Sequence, residues 1–254
     1  MSADFELVDL CIAACADDFA DKGEVLASGT GVVPRLAAGV AKLGSNPALL
    51  MTDGECTFVA EPVPIGPRGD YRVKPENWIP FRKIFDLVWG GRRHFMTTPT
   101  QLDRHGTPNI SCIGDWAQPK AQLLGVRGVP GNTINHSTAY FVAAHSKRTF
   151  VEKVDMASGA GNDPQRWAPG VRRDFHRLTR CVTNLCVMDF GGSGGTLRIV
   201  SLHPGASVEQ VRENTGFELE VADDLAETRA PTGQELDLIH RLDPHGQRAG
   251  VIRG

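Results

Sequence analysis

Three features are missing from these 254 residues: a block of like charge, a long apolar run and a paired-cysteine motif. The balance of 27 basic against 30 acidic side chains leaves a net charge of −3. That removes the electrostatic footprint selected by nucleic acid or an anionic membrane. No apolar run approaches the roughly eighteen residues that span a bilayer. The opening MSADFELVDL carries acids and no basic n-region, so a secretory signal is not expected and a cytoplasmic location is. The cysteines at 11, 15, 56, 112, 181 and 186 form no CxxC and no Cys/His group with zinc spacing, so reduced thiols and no metal are expected.

What is present is an α/β pattern. Residues 5–20 put Leu7, Leu10, Cys11, Ala14 and Cys15 on one helical face. GEVLAS (23–28) reads as strand, Gly29-Thr30-Gly31 as turn, VVPRLAAGVAKL (32–43) as helix and PALLMT (47–52) as buried strand. This is how an open, mostly parallel sheet with flanking helices begins. A Pro- and Gly-rich excursion (61–77) follows, then helix over 78–91 and strand over 92–98. Strands are expected at 138–145 and 148–154, loop at 157–170, and a hairpin through GGSGG (191–195). Ser207 and Gln210 stand in capping-box register ahead of a short helix. One domain over 1–254 is expected, with 221–254 as an extended or helical tail.

Four stretches carry chemistry. LLMTDGECTF (49–58) ends an apolar run in Thr52-Asp53-Gly54-Glu55, either a strand-end active-site turn or only a turn. GTGVVP (29–34) is a partial dinucleotide fingerprint with Pro34 at the third glycine position, and a tight strand-to-helix turn explains it better. GVRGVPGN (125–132) reads as a loop whose amides could approach a ligand, with Arg127 able to meet a carboxylate or phosphate; a purely structural loop fits equally. Arg92, Arg93 and His94 form a basic cluster, a solvated face or a site for an acidic substrate. In DRHGTPN, Asp103 and His105 read as turn chemistry ahead of an acid–His pair.

Read in order, GEVLASGTGVVPRLA, QLDRHGTPNISCIGD, RTFVEKVD, VTNLCVMDF and SLHPGASVEQVRENTGF resemble the β subunit of family I CoA transferases, the glutaconate type above all. The resemblance implies a CoA-transferase-like α/β fold and an obligate homologous α subunit in an α2β2 heterotetramer. It also implies an acyl-CoA site and no cofactor beyond the coenzyme A of the substrate. Transferases of this family keep a glutamate nucleophile in a strand-end motif that aligns on Thr52-Asp53-Gly54. Threonine at 52 cannot form the acyl anhydride that this cycle requires.

A subgroup with a TDGE turn, a GVRGxPGNTINH run and a WGxRRH-like segment, WGGRRH (89–94) here, is similar to ring-cleaving hydrolases of actinobacterial cholesterol catabolism. Such enzymes open a ring carbon–carbon bond of a cyclic oxo-acyl-CoA with water and need no covalent glutamate. The resemblance sets Thr52, Asp53 and Glu55 at the reaction centre. Arg92, Arg93, Gln101, Arg127, Gly128, Gly131, Asn132 and Asn135 become the expected substrate and CoA contacts. A transferase with a relocated carboxylate, Asp53 or Glu55, is the alternative. A non-catalytic subunit that only completes the α-subunit site is a third.

Overall fold

The computed structural model describes residues 4–54, 57–123, 125 and 127–252. They form two compact units, residues 1–97 with 229–254, and residues 98–228.

In the first unit, helix α1 (Leu7–Phe19) starts in a reciprocal capping box between Glu6 and Asp9. It is buried almost all round, as an inner helix must be when it lacks a polar face. Strand β1 (Leu26–Gly29) leads into helix α2 (Val32–Leu43). A Cβ on Gly29 would collide with the Pro34 backbone, and Gly31 has φ +95°. The turn itself therefore demands both glycines of GTGVVP, and no nucleotide is needed to explain them.

The expected strand at 47–52 is reduced to two bridges, Leu50 to Leu26 and Thr52 to Phe58. Leu49 N–H turns back to Asn46 O, and the segment has only one β-branched residue, Thr52, to hold a longer ladder. Strands β2 (Thr57–Val59) and β3 (Pro75–Trp78) pair antiparallel. The helix expected over 78–91 is shorter, α3 (Lys83–Trp89), because Pro80 disfavours helix at the residue before it. It buries no residue, and Trp78, Phe81, Phe85 and Trp89 are exposed. Strand β4 (Arg93–Thr97) then pairs parallel with β1, Leu26 opposite Arg93.

The second unit opens with β5 (Gln101–Leu102) and β6 (Pro108–Asn109), an antiparallel pair. The turn between them is held by Asp103 Oδ1, which accepts from His105 N (3.0 Å) and Thr107 N (2.9 Å). The turn reading of DRHGTPN therefore stands. Strands β7 (Cys112–Ile113) and β8 (Ala121–Gln122) form a small antiparallel pair before helix α4 (Val129–Asn135). Strand β9 (Ser137–Val142) pairs parallel with β10 (Arg177–Thr183). The chain then runs antiparallel through β11 (Cys186–Asp189) and β12 (Arg198–Leu202). Helix α5 (Val208–Glu213) crosses over to the parallel strand β13 (Glu220–Glu227), and Ser207 caps it by accepting from Gln210 N at 3.1 Å.

Tyr140, Phe150, Met188, Leu197 and Val211 centre the core of this unit. Residues 148–154 are not the strand expected there; only Phe150 bridges, to Leu102. GGSGG has the spacing of a nucleophile elbow, yet it joins two antiparallel strands, and Ser193 Oγ donates to Glu220 Oε2 at 3.2 Å. It is a hairpin turn. Back in the first unit, α6 (Gly233–Leu242) starts in a Thr232/Glu235 capping box and buries Leu236, Ile239 and Leu242. The mostly parallel sheet strands and flanking helices make this an α/β fold.

Candidate active site

The Thr52-Asp53-Gly54 stretch is a tight turn at the edge of the first unit. Asp53 N–H donates to Thr57 O (3.1 Å), and Asp53 Oδ1 accepts from Thr57 N (3.3 Å). Arg68 donates to the Asp53 carbonyl at 2.9 Å. The Asp53 carboxylate is thus turned back on its own loop. Thr52 Oγ1 accepts a long 3.3 Å bond from Gly54 N, whose residue sits at φ +93°. Side chains alternate along an extended segment, so Thr52 shares a face with Leu50 and with its bridge partner Phe58. Met51 lies on the opposite face and is buried. Glu55 lies outside the described residues.

On that face opens a cleft of about 240 Å³, walled by Leu50, Phe58, Ile79 and Leu87 and reached by Arg92. The sequence offered no periodic signal for it, because its walls come from three separated segments. The basic cluster WGGRRH divides. Arg92 reaches the cleft and has no ion-pair partner among the described residues. Arg93 turns inward, donating from Nε to Ser28 Oγ at 2.8 Å and lying 5.1 Å from the Phe95 ring. Burial pulls its pKa down to about 10, so it remains cationic at neutral pH, but as part of the scaffold. His94 is fully buried, with Nε2 2.8 Å from Asp18 Oδ2.

In the second unit, the GVRGVPGN stretch is not the loop expected. Its latter half is the start of α4, with Pro130 in the first turn where its missing N–H costs nothing. Gly128 precedes the helix, and its carbonyl accepts from Asn132 N at 2.9 Å. Gly131 lies in the first turn, where amides have no intrahelical partner. A Cβ at Gly128 or Gly131 would meet nothing nearer than 3.7 Å, so the chain's own packing does not require either glycine.

Asn132 is buried, while Asn135 Nδ2 closes onto Gly131 O at 2.9 Å. Arg127 is exposed and has no ion-pair partner among the described residues. Thr133 anchors the helix from below. Its Oγ1 accepts from Ala160 N (2.8 Å) and its carbonyl accepts from His176 Nδ1 (2.6 Å).

Gln101 is built into the loops of the second unit. It is buried, its Oε1 accepts from Asn109 Nδ2 (2.7 Å) and Asp155 N (2.9 Å), and its Nε2 donates to Asp155 Oδ2 (3.2 Å). Its amide oxygen and one of its two N–H donors are thus committed to holding loops together. Thr52, Asp53 and Arg92 therefore all belong to the first unit, where Phe58 links the Thr52 bridge to the cleft that Arg92 reaches. Arg127, Gly128, Gly131 and Asn132 lie at the N-terminal end of α4 in the second, and Asn135, its last residue, reaches back to Gly131.

No model of a known protein family matches the chain. Against single proteins the similarity is extensive. The chain is 46% identical over 244 residues to the cholesterol ring-cleaving hydrolase IpdB subunit of Rhodococcus jostii (strain RHA1), covering 94% of this chain and 93% of that one. The crystal structure of Rhodococcus jostii RHA1 IpdAB superposes with a TM-score of 0.91 at 43% identity, over 99% of this chain and 100% of the other. Glutaconate coenzyme A-transferase from Acidaminococcus fermentans matches with a TM-score of 0.81 at 23% identity, over 99% and 98% of the two chains, which establishes the shared fold. With its CoA-transferase fold, the chain belongs to the family of the cholesterol ring-cleaving hydrolase IpdB subunits.

Proposed function

We propose that this chain is the β-type subunit of a heteromeric hydrolase that opens the ring of a cyclic oxo-acyl-CoA of steroid breakdown. The observation that carries the reading is Thr52 in the turn where the transferases of this fold keep their glutamate. A threonine hydroxyl can orient water or a carbonyl but cannot carry an acyl anhydride. Asp53, the next residue, turns its carboxylate back on its own loop, where Oδ1 accepts from Thr57 N. In the reaction, water oxygen bonds to the ring oxo carbon and the adjacent ring carbon–carbon bond breaks. The electron pair passes to an enolate that takes up a proton, leaving a carboxylic acid and a new C–H bond. Thr52 orients the water. Arg92 meets a substrate carboxylate. The Gly128 and Gly131 amides with Asn132 and Asn135 face the thioester or enolate oxygen, and Arg127 faces CoA phosphate. Coenzyme A enters only as part of the substrate.

A homologous α subunit supplies the general base, in an α2β2 assembly working in the cytoplasm. Its relatives named IpdAB, at 43% identity, support that assembly. So do the exposed aromatic side chains Trp78, Phe81, Phe85 and Trp89, of which Phe81 and Phe85 meet edge to face, since exposed apolar patches mark interaction sites. Among the described residues, no helix is long and apolar enough to cross a membrane.

The test is to co-express both subunits and supply a cyclic oxo-acyl-CoA in ¹⁸O-water, with and without an acceptor acid. Acceptor-independent turnover with ¹⁸O in the new carboxylate is expected. Turnover that requires the acceptor, with borohydride-sensitive inactivation of this chain, would instead establish a transferase using Glu55 or a partner carboxylate.

A further inference from the structure

We propose that Arg68 is a positioning residue for the reaction: through the Asp53–Gly54 peptide it fixes how the Thr52 hydroxyl is aimed. This inference rests on the ring-opening reading above and deepens it. Its basis is one planar group. Arg68 Nη2 donates to the Asp53 carbonyl at 2.9 Å, and the Gly54 N–H donates to Thr52 Oγ1 at 3.3 Å. That oxygen and that N–H are the two ends of the same peptide. Holding the oxygen on Arg68 therefore holds the N–H on the threonine.

The turn's own sequence does not choose this orientation. Gly54 sits at φ +93° and a Cβ there would meet nothing within 4 Å, so no side chain resists a flip of the Asp53–Gly54 peptide. Flipped, the peptide would turn its carbonyl toward Thr52 and take the N–H away. A cation on the carbonyl side opposes that flip, because charge-assisted bonds are about twice as strong as neutral ones. It also polarises the peptide and makes its N–H a better donor. A hydroxyl has one proton and two lone pairs to offer. With one lone pair given to Gly54, the other and the O–H are left, in a set direction, for water or the ring oxo group.

Arg68 is delivered by a braced arm, the Pro- and Gly-rich excursion. Pro62, Pro64 and Pro67 limit its backbone. Val63 and Ile65 are buried, Ile65 N–H donates to Leu242 O (2.9 Å), and Glu61 accepts from both Lys74 (2.8 Å) and Arg241 (2.6 Å). Arg68 O accepts from Tyr71 N at 2.8 Å, which closes the bend that carries the side chain. Arg68 is exposed and has no ion-pair partner among the described residues, so none of their carboxylates competes with the Asp53 carbonyl.

The experiment uses the co-expressed heteromer with 2-oxocyclohexanecarbonyl-CoA, the simplest six-membered cyclic 3-oxo thioester, and reads ring opening to pimeloyl-CoA. Arg68→Ala should lower kcat about tenfold with KM within about twofold, the mark of a group that acts on the reacting state and not on binding. Arg68→Lys should stay within about threefold of wild type, because one carbonyl asks for one donor and not a fork. Guanidinium added to Arg68→Ala should restore turnover. In a Thr52→Val background, Arg68→Ala should cost nothing further. Arg72→Ala removes an exposed arginine of the same arm and should match wild type. Hydrogen exchange gives a reading free of turnover: Arg68→Ala, and not Arg72→Ala, should speed exchange in the peptide that carries Thr52 and Gly54. Wild-type kcat in Arg68→Ala, losses that add to those of Thr52→Val, or unchanged exchange overturns the proposal. Full activity in Thr52→Val would sink the reaction-centre reading and this inference with it, so the two failures are told apart.

Discussion

Thr52 and Phe58 face each other across an isolated antiparallel bridge, which sets the threonine hydroxyl on the cleft side and Asp53 on the other. The two residues should respond differently to substitution. Thr52→Val keeps the volume and β-branching and removes only the hydroxyl. We expect unchanged assembly and melting, KM within about twofold and kcat lowered ten- to hundredfold, the usual scale for a positioned polar group. Asp53→Asn keeps an oxygen for Thr57 N and should retain activity within about threefold. Asp53→Ala, which loses that bond, should lower stability by about 1 kcal/mol. Steady-state kinetics with urea unfolding separates the two residues, and equal loss in Thr52→Val and Asp53→Asn would return the chemistry to the aspartate.

Gly131 offers a test in which stability and activity move in opposite directions. It lies in the first turn of α4, and a Cβ there would first meet Asn135 Nδ2 at 3.9 Å. Gly→Ala inside a helix is worth up to about 1 kcal/mol, so Gly131→Ala should raise the melting temperature slightly. If substrate approaches this backbone closely, the added methyl group should cut kcat/KM at least tenfold. Full activity in a stabilised variant would show that nothing docks on that face. Gly29→Ala is the control, expected to unfold the first unit because its methyl group has no space beside Pro34.

The parts legible in the sequence were those decided locally. Helix over 32–43, the Asp103 turn and the Ser207 cap follow from short-range pattern and capping chemistry, and each appears where those rules place it. What was not legible depends on contacts far apart in the chain. PALLMT looks like a strand, but only Leu50 and Thr52 find bridge partners. GVRGVPGN reads as loop because three glycines and a proline dominate its composition, yet Pro130 is also a helix starter and Thr133 ties the segment down through Ala160. Arg92 and Arg93 are indistinguishable in a string. Strand alternation sends one to the cleft and the other to Ser28. Gln101 could not be recognised as scaffold without Asp155, 54 positions away.

Asp18 and His94 join α1 to β4 inside the first unit, 2.8 Å apart with both side chains buried. Removing one partner of a buried polar contact leaves the other unsatisfied and typically costs about 1–3 kcal/mol. Asp18→Ala should therefore destabilise the chain by that amount. Asp21→Ala, whose carboxylate is 79% exposed beside Lys22, should change stability by under about 1 kcal/mol. A double-mutant cycle with His94→Ala in urea unfolding gives the coupling directly. Additive losses would mean that the two residues act only through packing, His94 against Phe19 at 4.7 Å.

Acid should weaken the second unit through His145. Its ring stacks on Phe150 at 4.1 Å, with Nδ1 3.1 Å from Thr183 Oγ1 and Nε2 2.9 Å from Thr215 Oγ1. Hydroxyls can serve a neutral imidazole at both nitrogens, one as acceptor and one as donor. Burial then pulls the pKa down to about 3, against about 6.5 in the unfolded chain. Burial lowers His203 and His176 as well. Between pH 6.5 and 3 the unfolded chain binds a proton that folded His145 refuses. The stabilisation is complete above about pH 6.5 and falls by about 1.4 kcal/mol for each unit of acidification. His145→Gln keeps two hydrogen-bonding ends without the titration. From pH 7 to 5 the wild type should lose about 2 kcal/mol more than this variant in chemical denaturation. Parallel acid profiles for the two proteins would remove His145 from the account.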